Sequence, residues 1–126
     1  MSDDTGILNG AHVFLVEDEA LVAMLVEDML ADYGCTLAAH ASRISDAITH
    51  ANDPALRIDV ALLDVNVAGE PVFAVAAALA ARGVPFAFAT GYGAGGLPDI
   101  WRDRPTLQKP FMSDEVGVVL ARALAG

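Results

Sequence analysis

Short, continuous apolar runs alternate along this chain with segments whose apolar residues recur every three or four positions. Val13-Phe14-Leu15-Val16, within 12–17, is a run suited to a strand buried on both sides in a parallel sheet. Over 19–33, Val22, Leu25, Val26, Met29 and Tyr33 recur at helical spacing, and Gly34 is a residue that ends such a helix. The pattern then predicts a strand over 35–39 and a helix over 42–51, with Ser42 as its N-cap and Asn52-Asp53-Pro54 as its breaker. A third strand is predicted at 60–64, on Val60-Ala61-Leu62-Leu63. A third helix has Pro71 in its first turn, runs to about Arg82 and closes at Gly83. A fourth strand covers 84–90, with Pro85 tolerable at its start. Residues 91–96 are too rich in glycine for a helix interior, and 97–102 predict only a short helical turn. A short fifth strand at 106–108 precedes a last helix capped by Ser113. Asp114 and Glu115 stand in its first turn, and Val116, Val119, Leu120 and Leu124 form its apolar face.

The order βαβαβαβ, a reduced connection, then βα predicts a parallel sheet covered by helices on both faces. Ligands of such folds bind beyond the carboxyl ends of the strands. The 126 residues suit one domain, 11–126, preceded by a partly loose arm, 1–10. A hydrophobic share of 55 % supports a real core and argues against disorder. The net charge of −10 argues against nucleic acid or an anionic membrane as partner. Cys35 is alone, residues 1–10 carry no signal-peptide pattern, and no apolar run has the length of a membrane span. A cytoplasmic protein is expected.

The chemistry-bearing residues fall at predicted strand ends. Glu17-Asp18 follow the first strand, Asp64 ends the third, Thr90 ends the fourth and Lys109 follows the fifth. Taken singly each has a plain reading: helix N-terminal charge for Glu17-Asp18-Glu19, a turn hydroxyl for Thr90, a surface lysine for Lys109. Together they converge on one edge. Clustered carboxylates repel one another unless a cation or proton intervenes, and oxygen donors suit Mg²⁺. Asp18 and Asp64 are expected as direct ligands, Glu17 through a water, and the backbone carbonyl of Asn66 as a third protein ligand. A carboxylate there can attack phosphorus, with Lys109 and Thr90 facing the transferring oxygens. His12, His40 and His50 have no metal-ligand spacing and are read as scattered, with His50 on a helix surface. Trp101 is expected to pack against the sheet edge.

At these residues the chain resembles the receiver domains of response regulators. The matching segments are Phe14-Leu15-Val16-Glu17-Asp18-Glu19, Leu62-Leu63-Asp64-Val65-Asn66, Ala89-Thr90-Gly91 and Gln108-Lys109-Pro110-Phe111, and the likeness runs over 11–125. It implies a flavodoxin-like, doubly wound five-stranded parallel sheet of order 2-1-3-4-5 with a reduced or irregular fourth helix. It implies Asp64 as phosphoacceptor, Glu17 and Asp18 as the acidic pocket, Thr90 and Lys109 as switch residues, and a cis Lys109–Pro110 bond. The implied donor is a phosphohistidine on a sensor histidine kinase or a histidine phosphotransfer protein. Phe88-Ala89-Thr90-Gly91-Tyr92 resembles the FATGUY subgroup, which works with HWE-type and related kinases, although Gly93 replaces that motif's last tyrosine. Thr106 stands where many receivers have an aromatic, which leaves Tyr92 or Trp101 for the coupling to Thr90.

The expected function is that of a stand-alone receiver: a phosphoryl acceptor that catalyses only its own phosphorylation and slow dephosphorylation, and is otherwise no enzyme. Phosphorylation would move the 91–104 segment, and the surface of that segment, the fifth strand and the last helix would bind a downstream protein. Two alternatives stand beside it. One is a pseudo-receiver that binds a partner without being phosphorylated. The other is a flavodoxin-like cofactor carrier, which the acidic Glu17-Asp18-Glu19 loop disfavours because a flavin phosphate wants free N–H groups there. A metal-dependent phosphatase is weaker still, for want of a separate acid or base.

Overall fold

The computed structural model of the chain describes residues 5–91 and 97–126. Five strands, β1 (His12–Val16), β2 (Thr36–Ala41), β3 (Val60–Asp64), β6 (Phe86–Thr90) and β7 (Thr106–Gln108), form one all-parallel sheet of order β2-β1-β3-β6-β7. The predicted order 2-1-3-4-5 is thus the observed one. A small antiparallel hairpin, β4 (Asn66–Val67) with β5 (Glu70–Pro71), is set between the third and fourth strands of that sheet. Four α-helices are described: α1 (Ala20–Asp32), α2 (Ile44–Ala51), α3 (Phe73–Ala81) and α4 (Ser113–Ala125). Between β6 and β7 the described residues hold only a 3-10 turn, Asp99–Trp101, where a reduced or irregular fourth helix is expected. No helix among the described residues is long and apolar enough to cross a membrane.

Strand alternation divides the core into two clusters. Val13, Leu15, Val60, Leu62, Ala87, Ala89 and Leu107 meet α1 and α4. Phe14, Val16, Ala61, Leu63, Phe86 and Phe88 meet α2, α3 and Trp101. The α1–α4 contact is close because α4 carries Gly117: the Tyr33 ring occupies the space a Cβ would need, and Tyr33 Oη donates to the Ser113 carbonyl at 2.9 Å.

Several element boundaries differ from the expectations, each for a backbone reason. The Cys35 N–H closes α1 onto Leu30, so β2 begins at Thr36 and runs to Ala41. That extension leaves Ser42 one residue too early to cap α2; Arg43 takes the position and makes no side-chain cap bond. Val84 likewise closes α3 onto Leu79, so β6 starts at Phe86. Pro71 is committed to the hairpin, and α3 starts at Phe73 rather than around the proline. Ser113 is the first residue of α4, not its cap: Met112 is the cap, and its N–H is taken by the Glu115 carboxylate at 2.7 Å. Within the expected arm 1–10, residues Thr5–Leu8 form a 3-10 turn whose Leu8 is fully buried against the α1–α4 cluster.

Candidate functional site

Glu17, Asp18 and Asp64 converge at the carboxyl edge of the sheet, with carboxylate oxygens within 4.8 Å of one another. β1 and β3 are adjacent and in register from Val13↔Val60 to Val16↔Leu63, which brings the next residues of both strands to one place. Lys109 enters from the far side. Its N–H continues the β6–β7 ladder by donating to the Thr90 carbonyl at 2.9 Å. Its ammonium lies 2.9 Å from Glu17 Oε1, 2.9 Å from Asp64 Oδ2 and 3.8 Å from Glu19 Oε2. The Lys109–Pro110 peptide is cis, as the resemblance implied.

The remaining oxygens are held by backbone N–H groups. Glu17 Oε2 accepts from Glu19 at 3.1 Å, and Asp64 Oδ1 from Asn66 at 3.3 Å. Asp18 Oδ2 accepts from Ala68 at 3.0 Å, a contact across the chain that ties the β1–α1 loop to the β4–β5 hairpin. The hairpin's turn, Ala68-Gly69, has both residues at positive φ (52° and 85°), and Asn66 Oδ1 braces it through the Gly69 N–H at 3.0 Å. The sequence reading missed this hairpin. Its signal was the Gly69 turn flanked by only two residues per strand, and Ala68 stands where an asparagine is the usual clue.

Glu17 and Asp64 are buried, as is Thr90, while Asp18 is exposed. Burial pushes the Glu17 carboxyl up to about 7, helped by the Asp64 charge and opposed by the hydrogen bonds from Glu19 and Lys109. Burial alone would lower the Lys109 ammonium, but its bonds to Asp64 and Glu17 outweigh it and hold the group above its ordinary value. For Asp18 too burial is opposed, and the Ala68 N–H takes its carboxyl below the usual range. With all three carboxylates ionised, one ammonium leaves two negative charges in excess in a partly buried space, and the raised Glu17 carboxyl reflects that burial and crowding. An all-oxygen donor set with that excess fits a hard divalent cation, and Glu17, Asp18 and Asp64 are the side chains that would hold it.

Of the residues singled out in the sequence, Glu17, Asp18, Asp64 and Lys109 are brought together. Asn66 lies on the hairpin beside Asp64, and Thr90 ends β6, where its carbonyl accepts from the Lys109 N–H. Trp101 is buried edge-on against Phe86 and Phe88, at centroid distances of 5.5 and 6.4 Å, so it does pack on the sheet. Tyr92 and Gly93 lie outside the described residues. His50 meets Phe14 edge-on at 5.8 Å.

A scan of family models and a search of curated proteins find no match. Solved structures do match. SdrG from Sphingomonas melonis Fr1 is 42 % identical over 92 % of this chain and 94 % of its own, with a TM-score of 0.75. The receiver domain of the response regulator PhyR from Erythrobacter litoralis is 25 % identical over 94 % of this chain and 93 % of its own, at 0.77. The chain belongs to the response-regulator receiver family. A BeF3-activated conformation of SdrG, from Pseudomonas melonis Fr1, matches this receiver domain at 41 % identity over 98 % of this chain and 99 % of its own, with a TM-score of 0.75.

Proposed function

We propose that this receiver domain accepts a phosphoryl group on Asp64, with Mg²⁺ bound by Asp18, Asp64, the Asn66 carbonyl and, through water, Glu17. The observation that carries the reading is Lys109: one ammonium spans Glu17 and Asp64 at 2.9 Å each, beside a third carboxylate. An Asp64 oxygen forms the new P–O bond as the donor's P–N bond breaks, and the imidazole leaves with its electron pair and takes up a proton. Mg²⁺ would supply charge neutralisation on the transferring oxygens. Lys109 neutralises a second position from the opposite side. The Thr90 hydroxyl, at the end of the neighbouring strand, is the group to bond the phosphoryl once it is attached.

The donor in this reading is the phosphohistidine of a sensor histidine kinase, of HWE or related type, or of a histidine phosphotransfer protein. An apolar groove of about 350 Å³, lined by Val22, Leu25, Met29, Pro110 and Phe111, shares Glu19 and Lys109 with the pocket rim. A donor helix presenting its histidine to Asp64 has that groove beside it. The output is a change in binding of a downstream protein at the surface of the 91–104 segment, where Ile100 is exposed, β7 and α4. The setting is a two-component system or phosphorelay in the cytoplasm. The domain catalyses its own phosphorylation and slow dephosphorylation, and no other reaction.

The test is intact-protein mass after incubation with Mg²⁺ and acetyl phosphate. One phosphoryl adduct is expected on the wild type, and none with Asp64→Asn or with EDTA. An adduct that survives Asp64→Asn would place the acceptor elsewhere. No adduct even from a phosphorylated cognate kinase would make the domain a pseudo-receiver.

A further inference from the structure

The acidic pocket depends on how the chain turns out of β1, and a residue with no part in the phosphoryl chemistry holds that turn. β1 and β2 pair as far as Val16↔Ala41. The Glu17 N–H still finds a strand partner, donating to the Ala41 carbonyl at 3.0 Å. The Glu17 carbonyl lies one step past the ladder, and there a side chain meets it: His40 Nε2 stands 2.9 Å from the oxygen. A carbonyl only accepts, so Nε2 carries the proton. The other ring nitrogen, Nδ1, faces the Glu27 carboxylate of α1 at 3.9 Å. His40 therefore joins the edge strand, the first helix and the loop that carries the two acids.

The peptide unit is planar, so holding the Glu17 carbonyl also fixes the direction of the Asp18 N–H and the relation between the two Cα atoms. The two side chains leave this unit in different directions. Glu17 goes to Lys109, and Asp18 to the Ala68 N–H. We propose that His40 is a positioning residue: through its Nε2–H it sets the Glu17–Asp18 peptide so that both carboxylates are preplaced for the divalent cation. The inference rests on the pocket being the cation site of the proposed function. Groups that orient ligands from one shell out commonly alter metal affinity by about 10–100-fold when removed.

Mg²⁺ alone, titrated into the full chain by calorimetry, is the probe, with amide hydrogen exchange as an independent readout. His40→Leu is expected to weaken Mg²⁺ binding by about tenfold. It is also expected to speed exchange at the Glu17 and Ala68 amides, whose acceptors are Ala41 O and Asp18 Oδ2. His40→Gln, whose amide nitrogen can reach the same carbonyl, is expected to restore both. Wild-type affinity and exchange in His40→Leu would overturn the proposal, as would a folded His40→Gln no better than His40→Leu. A wild type that bound no Mg²⁺ would overturn the cation half together with the function beneath it, while exchange at the two amides still reads the hold itself. Should His40→Leu not fold, nitrogen-15 correlation spectra of the wild-type imidazole decide: a proton on Nε2 supports the hold, and a neutral ring protonated only at Nδ1 overturns it.

Discussion

The two faces of the sheet are filled in opposite ways. Toward α2 and α3 the bulk comes from the strands: Phe14, Phe86 and Phe88 are fully buried, with Trp101 laid over the last two. The helices there are short and rich in alanine. Toward α1 and α4 the fourth strand of the sheet presents only Ala87 and Ala89, and the bulk comes from the longer helices, through Val26, Leu30, Val116 and Leu120. The same alternation runs on into the site. Glu17 continues Val13 and Leu15, Asp64 continues Val60 and Leu62, and Lys109 continues Leu107, so the pocket caps the α1–α4 face. Thr90 continues Phe86 and Phe88, so its hydroxyl caps the aromatic face. Asp64 and Thr90 end neighbouring strands on opposite sides of one sheet, and Thr90 lies on the side where Trp101 and Leu97 pack.

The sharpest way to break this comparison is to remove bulk from the aromatic face. Phe88→Ala should cost about 3–5 kcal/mol in denaturant unfolding, because the small alanines of α3 cannot refill the space. A loss below about 1 kcal/mol would mean that the ring ridge does not hold this face. The next effect belongs to the other face's pocket. Glu17 is raised in the fold to about 7 from an ordinary value of 4.5, so between those limits the folded chain binds a proton that the unfolded chain has released. Without Mg²⁺, stability from this group is therefore present in mild acid and falls as pH climbs from about 4.5 to about 7, by roughly 3 kcal/mol at about 1.4 per pKa unit. Asp18, depressed below its ordinary 3.8, acts beneath that window. Glu17→Gln should flatten the slope in urea titrations at pH 5 and 7.5; an unchanged slope would assign it to another group.

The smallest effect tests the close fit of α1 on α4. Gly117→Ala adds a Cβ that runs into the Tyr33 ring, and Tyr33 cannot swing away without giving up Ser113. Overpacking of this kind costs about 1–3 kcal/mol, against about 1 gained in helix propensity. A net loss of about 1 kcal/mol is expected from thermal unfolding, cancelled when Tyr33→Ala is added. A stabilised Gly117→Ala would show that the two helices have room to spare.

The parallel sheet was legible because continuous apolar runs and Gly34 and Gly83 punctuate the chain clearly, while its strand order came only from the family resemblance. The four converging site residues were legible for the same reason, since each follows a well-marked strand end. Strand and helix starts were less so, because a backbone N–H spent on closing a helix, as at Cys35 and Val84, leaves no mark on side-chain pattern. The Ala68-Gly69 hairpin was hidden by its brevity, and His40 because its partner is a main-chain carbonyl rather than another ligand. Nothing about a lone histidine in a strand tells which backbone atom it will meet.

Trp101 is the only tryptophan in the chain, and it lies on the face that Thr90 ends. The Arg104 guanidinium sits 5.6 Å from its ring and 4.2 Å over Phe86. An indole so enclosed emits according to its packing and to the charge above it. The domain thus carries its own optical gauge on the Thr90 side, and emission spectra before and after addition of a phosphodonor read the aromatic face without a label.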